Sequence, residues 1–367
     1  MPSSAGPNTF GEENLVFAYD LGDTANSYRG EPTENILALG GSDTEIERSG
    51  TSYPYYSINI DSYIQSRWSS SNNVLTISYE GKRDYVAGGT GGGNDGYPVY
   101  YIYFTDWSWA ATLGTGAYDW QYVKRTFTMP DPTTKSVRFA IYHMNSGNRG
   151  RSYSRKHMLT FGDHATQFVN GTRSATQGLI DLTGNSTIDL TNISFDSNAQ
   201  MTFDGTNDYV YISDTLLNVD AFTVEAVINI TSEGNYNKPI FVVGNQSTTG
   251  IWFFKHRSGL GNRLVMHGYD GVNPRIDVDS VNQVPDAVNT HVAVTFDGNA
   301  YQLYMNGEPE DAPVVDNKVA ASTDNYIGRQ GSTYLAGEIP ALKIYSRALT
   351  AQEIRSNFNA VKSRFGI

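Results

Sequence analysis

The carboxylates of this sequence lack the spacing that would place a catalytic pair for glycoside hydrolysis on one strand. Residues i and i+2 share one face of a strand, so an acid and a nucleophile can stand together there, as the first two carboxylates of E-x-D-x-x-E do. Glu225 lies in a strand-like segment and has Val227 at the second position after it. There is also no G-x-S-x-G elbow, H-E-x-x-H motif or Walker-type loop, and the six histidines are scattered. We predict that the protein is not an enzyme, although residues distant in sequence can still meet in space.

Aromatic side chains could form a sugar-binding platform, because the apolar face of a pyranose stacks on a flat ring. Six of them crowd one stretch of about twenty residues: Tyr101, Tyr103, Trp107, Trp109, Tyr118 and Trp120. Core packing explains alternating tyrosines on a strand equally well. Trp107 and Trp109 follow the strand in a predicted loop, so we expect these two to be exposed. The predicted carbohydrate-binding residues are Trp107, Trp109, Tyr103 and Trp120.

Calcium is the candidate ion, because it takes hard oxygen ligands from loops. Asp204, Asn207 and Asp208 supply such oxygens on one predicted turn. The alternative is that Asp204 and Asn207 stabilise the turn through side-chain-to-backbone hydrogen bonds, and this alternative is favoured. No EF-hand spacing supports the calcium interpretation. No other cofactor is predicted.

Charge and composition exclude several classes of protein. The formal net charge is −12, whereas nucleic-acid binding needs clustered Lys and Arg, so no nucleic-acid partner is expected. One basic cluster, Arg149 to Arg151 followed by Arg155 and Lys156, is either a solvated loop or a contact for an acidic subunit or an anionic polysaccharide.

The absence of cysteine excludes disulfides and thiolate metal sites. The start of the chain lacks signal-peptide features, and no stretch of about 18 apolar residues predicts membrane insertion.

Short segments that alternate or run apolar between turn residues predict an all-β protein. The length of 367 residues favours two domains. The first group of predicted strands is Leu15–Tyr19, Ser57–Ile60, Val74–Tyr79, Val99–Phe104, Tyr122–Met129 and Ser136–Tyr142. The second group is Ala199–Phe203, Tyr209–Ile212, Phe222–Ile230, Ile240–Val243, Ile251–Phe254, Arg263–Met266, His291–Phe296 and Tyr301–Met305. Residues 88–93 are a glycine run and predict an exposed loop. Thr350 and Glu353 have capping-box spacing and predict one C-terminal helix.

The second half of the chain resembles laminin-G-like, concanavalin A-like jelly rolls. Residues 201–212, MTFDGTNDYVYI, are similar to a segment of that family, and three further pieces follow in the expected order. These pieces are Phe222–Glu225, His291–Gly298 with Leu303–Gly307, and Gly337–Thr350. Residues 14–22 resemble the first strand of the same domain, but the D-L-T-G-N turn that normally follows comes only at 181–185. We therefore infer an insertion into the jelly roll.

The inserted segment resembles the carbohydrate-binding-like sandwiches of bacteriophage tail, fibre and head-decoration proteins. Residues 29–36 are similar to their entry segment, 163–173 to their exit segment, and 119–128 to their W-x-x-x-x-x-T-F-T strand. The resulting fold class is all-β, a discontinuous concanavalin A-like jelly roll with an inserted second β-sandwich and a short C-terminal helix. The predicted domains are a flexible arm at 1–13, the jelly roll at 14–30 plus 165–367, and the inserted sandwich at 31–164.

These resemblances imply a bacteriophage virion structural protein, either a head-fibre or decoration protein or a tail-fibre-like subunit. Its function would be display, cementing of the capsid or tail, or adhesion to host glycans. The expected partners are other virion proteins, further copies of the chain in a homo-oligomer, and host surface glycans. Two alternatives remain, a bacterial secreted or surface lectin located outside the cell, and a glycan-degrading enzyme on a concanavalin-like fold.

Overall fold

The computed structural model describes residues 13–30, 32–37, 45–49, 54–84, 97–115, 119–144, 151–165, 168, 172–196, 198–231, 237–244, 250–256, 261–272 and 276–367. Except for Glu13, the predicted N-terminal arm lies outside these residues. The predicted glycine loop at 88–93 lies outside them entirely.

The chain divides into two compact units. The host unit comprises Met1–Pro32 and Ser174–Ile367, and the inserted unit comprises Thr33–Arg173. The inserted unit therefore extends further toward the C terminus than the predicted boundary at 164.

Strands dominate both units. The host unit begins with β1 (Leu15–Asp20) and α1 (Thr24–Ser27). The inserted unit follows with β2 (Thr33–Glu34), β3 (Ile46–Ser49), β4 (Pro54–Asn59), α2 (Asp61–Arg67), β5 (Val74–Asp84), β6 (Tyr97–Phe104), β7 (Ala110–Gly114), β8 (Gln121–Thr128), β9 (Val137–Met144), β10 (Arg151–Phe161) and β11 (Thr172–Arg173). Every strand predicted from the sequence in this part of the chain corresponds to an observed strand.

The host unit resumes with a 3-10 turn at Ala175–Gln177. Its further strands are β12 (Asp189–Thr191), β13 (Ser194–Phe195), β14 (Met201–Asp204), β15 (Tyr209–Ile212), β16 (Phe222–Ile230), β17 (Lys238–Val243), β18 (Gly250–Lys255), β19 (Arg263–Tyr269), β20 (Ile276–Gln283), β21 (Thr290–Phe296), β22 (Ala300–Met305), β23 (Glu308–Pro309), β24 (Val314–Val315), β25 (Asn325–Ile327), β26 (Arg329–Gln330), β27 (Thr333–Tyr334) and β28 (Ala336–Tyr345). The chain ends with α3 (Ala351–Phe365).

Two antiparallel sheets form the host unit. Sheet I has the order β13-β14-β28-β16-β21-β22-β23, with β1 also paired to β28 and β24 to β22. Sheet II has the order β12-β15-β25-β17-β18-β19-β20. Alternate residues point into one shared core, for example Val224 and Ile228 from sheet I and Phe241 and Phe253 from sheet II. This arrangement of two facing sheets is the predicted β-sandwich.

Helix α3 covers the opposite face of sheet I from this core. Ile354 packs with Tyr345 of β28, and Val361 packs with Val227 of β16. Thr350 caps the helix, because its hydroxyl accepts a hydrogen bond from the Glu353 backbone while the Glu353 side chain bonds back to Thr350. The predicted capping box is therefore confirmed.

The inserted unit is a second sandwich with its own core. Sheet III has the order β3-β10-β5-β8, and sheet IV has the order β4-β9-β6-β7. Leu75 and Ile77 from sheet III pack with Tyr100 and Phe139 from sheet IV. Ile64 of α2 adds to this core. Helix α2 was not predicted from the sequence.

Strand pairing joins the two ends of the inserted unit, and it also joins the two parts of the host unit. In the inserted unit, β2 pairs with β11, so the first and last strands of the unit lie side by side. In the host unit, Tyr28 forms a β-bridge with Leu179, and the Ile180 N–H donates to the Ser27 carbonyl at 2.8 Å. The two parts of the host chain therefore meet in space, although the whole inserted unit separates them in the sequence.

Candidate functional site

Trp107 presents a large aromatic face on the inserted unit. It lies in the turn between β6 and β7, and its side chain is 56% exposed. The indole stacks on the Tyr103 ring, with 4.3 Å between centroids and 13° between planes. Tyr103 is buried, at 7% exposure, so Trp107 supplies the accessible aromatic area of the pair.

Hydrogen bonds hold the turn that carries Trp107. The Trp107 backbone has φ of 59°, and its N–H donates to the Phe104 carbonyl at 2.8 Å. The Asp106 carboxylate accepts from the Ser108 hydroxyl at 2.6 Å and from Lys135 Nζ at 2.5 Å. The Lys135 hydrogen bond, followed by those of Ser108, lowers the pKa of Asp106 well below its usual range. The turn is therefore fixed before any ligand binds.

Two tyrosines extend this surface along sheet IV. Tyr101 lies two residues before Tyr103 on β6, so both side chains project from the same face of the strand. The Tyr101 ring meets Trp107 edge-on at 6.3 Å and Tyr142 of β9 at 4.9 Å. Burial raises the pKa of Tyr142, and the charge and hydrogen bond of Tyr103 add to this rise. The sheet IV aromatic surface consists of Tyr101, Tyr103, Trp107 and Tyr142.

The expectation that Trp109 is exposed is wrong. Its ring packs against the core of the inserted unit, 5.4 Å from the Phe104 ring and 5.5 Å from the Phe127 ring. Trp109 directly precedes β7, so the chain has already turned back toward the sandwich at this residue. Trp109 therefore belongs to the packing of the sandwich.

Trp120 lies on sheet III and not with Trp107. It immediately precedes β8 and is half-buried. The Arg155 guanidinium lies 4.1 Å from its ring centroid and the Lys82 ammonium 5.0 Å from it. The four aromatic residues predicted to bind sugar thus separate, and only Tyr103 and Trp107 form one surface.

Asp204 and Asp208 stabilise their own turn. Asp204 Oδ1 accepts hydrogen bonds from the backbone of Thr206 at 2.7 Å and of Asn207 at 3.3 Å. Asp208 Oδ2 accepts from the Asp204 backbone at 2.9 Å. Burial raises the pKa of Asp208, while the hydrogen bond from the Asp204 backbone acts in the opposite direction. The arrangement fits the hydrogen-bonded turn that the sequence favoured.

A buried acid and histidine lie under α3. His291 Nε2 is 2.6 Å from Glu225 Oε1, and Asn357 of the helix donates to Glu225 Oε2 at 2.8 Å. Burial works to raise the pKa of Glu225, but the hydrogen bond and charge of His291, with Lys343 and Asn357, hold it below its usual range. Both side chains are almost fully buried, so this cluster anchors the helix to sheet I.

Sequence reasoning missed an aromatic cluster in the host unit. On sheet II, Tyr209 and Tyr211 of β15 project from one face beside Tyr326 of β25. The Arg329 guanidinium lies 4.6 Å from the Tyr209 ring centroid and 5.1 Å from that of Tyr326. The alternation of Tyr209 and Tyr211 was the available signal. All four side chains are half-buried, so they offer less ring area than Trp107.

The described part of the chain holds no group of three or more His, Asp or Glu side chains placed to bind a metal. Among the same residues, no helix has the length and apolar character needed to cross a membrane.

Comparison with known proteins supports the fold of the host unit. Residues 204–355 match the family model described as the concanavalin A-like lectin/glucanases superfamily. The host unit therefore has the concanavalin-like fold predicted from the sequence. A search of curated protein sequences gives no significant match.

Several solved structures are similar at low sequence identity. The binding domain of botulinum neurotoxin serotype G is 16% identical with a TM-score of 0.41, covering 50% of this chain and 49% of that one. Domain 4 of a GH43 extracellular arabinanase from Geobacillus stearothermophilus, in complex with arabinotriose, is 18% identical with a TM-score of 0.40, covering 50% and 92%. A Trypanosoma rangeli sialidase is 15% identical with a TM-score of 0.40, covering 50% and 31%. The match thus spans about half the length of the neurotoxin domain.

Proposed function

We propose that the protein is a glycan-binding adhesion protein that stacks a pyranose ring on Trp107. The exposed indole held flat on Tyr103 carries this proposal. A rigid aromatic ring contributes a large contact area and has few rotatable bonds to immobilise on binding. Tyr101 and Tyr142 supply hydroxyl groups beside the ring for hydrogen bonds to sugar hydroxyls.

Replacing Trp107 tests the proposal directly. We expect Trp107→Ala to weaken binding of the best ligand on a glycan array about tenfold or more, since a central aromatic contact is typically worth more than ~1.4 kcal/mol. Tyr63→Ala is the matched control, because Tyr63 is a 41% exposed aromatic residue of α2 in the same unit. Equal binding by wild type and Trp107→Ala, or an equal loss in Tyr63→Ala, would contradict a site at Trp107.

Binding without hydrolysis is part of the proposal. The burial of Glu225 and His291 beneath α3 supports it, because a catalytic acid has to reach the glycosidic oxygen. The rival function is a glycan-degrading enzyme. Release of reducing sugar from a bound glycan by the purified wild-type protein would favour that rival.

We also propose a location on a bacteriophage particle, as part of a head fibre, a decoration layer or a tail fibre. The similarity of residues 29–36, 119–128 and 163–173 to phage sandwich modules supports this location. Other virion proteins and further copies of the chain would then be its partners. Antibody labelling of purified particles tests the location, and labelling of bacterial surfaces alone would instead favour a bacterial lectin.

A further inference from the structure

Sheet III of the inserted unit has an outward face that combines aromatic rings with basic groups. Along β8, Val123 and Phe127 pack against the core. Because side chains alternate on a strand, Tyr122 and Lys124 project from the other face, in line with Trp120. Tyr122 is 54% exposed and Lys124 is exposed. This row presents two rings and an ammonium group away from the core.

The strand register places further groups beside this row. Glu80 of β5 lies opposite Tyr122 of β8 on one side and Arg155 of β10 on the other. Lys82 of β5 lies opposite Tyr153 of β10. The basic aromatic face therefore consists of Lys82, Trp120, Tyr122, Lys124, Tyr153 and Arg155.

Positive charge exceeds negative charge on this face. Arg155 Nε is 2.7 Å from the Glu80 carboxylate, and Lys156 Nζ is 2.8 Å from the same carboxylate. One negative charge is therefore paired with two positive charges. The hydrogen bond from Lys156, with Arg155, lowers the pKa of Glu80 and keeps it ionised. Lys82 and Lys124 have no carboxylate partner among the described residues.

Lys82 is held in place by aromatic rings. Its ammonium lies 5.0 Å from the Trp120 ring centroid and 4.7 Å from that of Tyr153. Cation–π contacts of this kind fix the position of the charge and leave its hydrogen-bond donors available. An anionic group can therefore bind here without displacing an existing ion pair.

We propose that the basic aromatic face binds a glycan strand that carries carboxylate or sulfate groups. A pyranose ring stacks on Tyr122, and the anionic substituent accepts hydrogen bonds from Lys82 and Lys124. Complementarity of charge supports this ligand, because the face is basic in a chain of net charge −12. The site lies on a different sheet from Trp107 and does not depend on the function proposed for that residue.

The test measures binding of the full chain to four polymers by calorimetry at two salt concentrations. Polygalacturonate carries carboxylates, heparin carries carboxylates and sulfates, dextran is a neutral glycan, and polyglutamate is an acidic polymer without sugar rings. We expect binding to polygalacturonate, to heparin or to both, with weaker binding at high salt. Binding to heparin alone would identify sulfate as the required group, and binding to polygalacturonate would show that carboxylate suffices.

Variants locate the site. We expect Lys82→Gln and Tyr122→Ala each to weaken acidic-glycan binding about tenfold. Lys82→Gln removes one charge-assisted hydrogen bond, and Tyr122→Ala removes one stacked ring. Lys318→Gln is the matched control, because Lys318 is an exposed lysine of the host unit that pairs with Asp220. Tyr63→Ala should leave this binding unchanged, because Tyr63 is an exposed aromatic residue of the same unit that belongs to neither proposed surface.

Three results would overturn the proposal. They are no binding to either acidic glycan, equal affinity of wild type and both variants, and binding of polyglutamate as strong as that of polygalacturonate. The last result would mean that charge alone is recognised, as in contact with an acidic protein surface.

Discussion

His157 is a buried imidazole in the core region of the inserted unit. Its Nε2 lies 3.2 Å from the Ser154 hydroxyl, and its ring lies beside that of Tyr100. Burial lowers the pKa of His157 to about 4, because the charged form would lose its hydration. The folded protein therefore holds this residue neutral at pH values where an unfolded chain would protonate it.

The neutral, buried His157 should make the folded protein less stable as the pH falls from 6.5 to about 4. Below the ordinary pKa of 6.5 the unfolded chain takes up a proton that the folded chain takes up only near pH 4. The free energy of unfolding should fall across this window by roughly 3 kcal/mol from this residue. Urea unfolding of wild type and His157→Gln at pH 7, 5.5 and 4 measures it. The difference between the two proteins should shrink or reverse as the pH falls, and a constant difference would contradict the assignment.

The exposure of single side chains near a turn could not be predicted from the sequence. Trp107 and Trp109 are two residues apart and were both expected to be exposed, but only Trp107 is. The direction of each side chain depends on where the turn ends and β7 begins, and composition does not define that point. The turn at Asp204 has a local hydrogen-bond pattern, so its structural role could be weighed from sequence alone.

Helix α3 was predictable because its start depends on neighbouring residues. Thr350 and Glu353 bond each other reciprocally, and Arg347 joins Glu353 with Nη2 2.7 Å from the carboxylate. The Arg347 hydrogen bond is the main reason why the pKa of Glu353 falls to about 2. The groups beneath the helix were not predictable, because Glu225 meets His291 only through the register of β16 and β21.

Removing the cap should weaken the attachment of α3. We expect Thr350→Ala to lower the free energy of unfolding of the host unit by about 1 kcal/mol, since an unpaired backbone N–H is left at the helix start. Ser356→Ala, an exposed change within the same helix, is the control and should be near neutral. Thermal unfolding followed by circular dichroism measures both. A loss as large in Ser356→Ala would show that the cap is not responsible.

At the scale of the whole molecule, the host unit is assembled from two separated pieces of chain. Strand β1 pairs with β28, more than 300 residues later. The D-L-T-G-N turn completes the attachment, because Asp181 Oδ1 accepts from the Ala18 backbone at 3.0 Å. Asp181 also accepts from the backbone of Thr183, Asn185 and Ser186. The displaced position of this turn in the sequence was the signal that predicted the insertion.

Asp181 should therefore matter more than an ordinary turn residue. We expect Asp181→Ala to lower the free energy of unfolding of the host unit by about 2–4 kcal/mol, since one buried and three partly buried N–H groups lose their acceptor. Asp297→Ala is the control, because Asp297 accepts two backbone hydrogen bonds in an exposed turn. That variant should lose less than about 1 kcal/mol. Equal losses in denaturant unfolding would mean that Asp181 does not join β1 to the rest of the unit.

The pairing of β2 with β11 has a consequence for how such a protein can change over time. Because the inserted unit enters and leaves through adjacent strands, its two ends form a single stem. A different module with equally close ends can be exchanged at this stem by recombination, while the strand order of the host unit stays the same. The inserted unit and the host unit can therefore evolve separately, and the stem marks where one inserted module can be cut out and replaced by another.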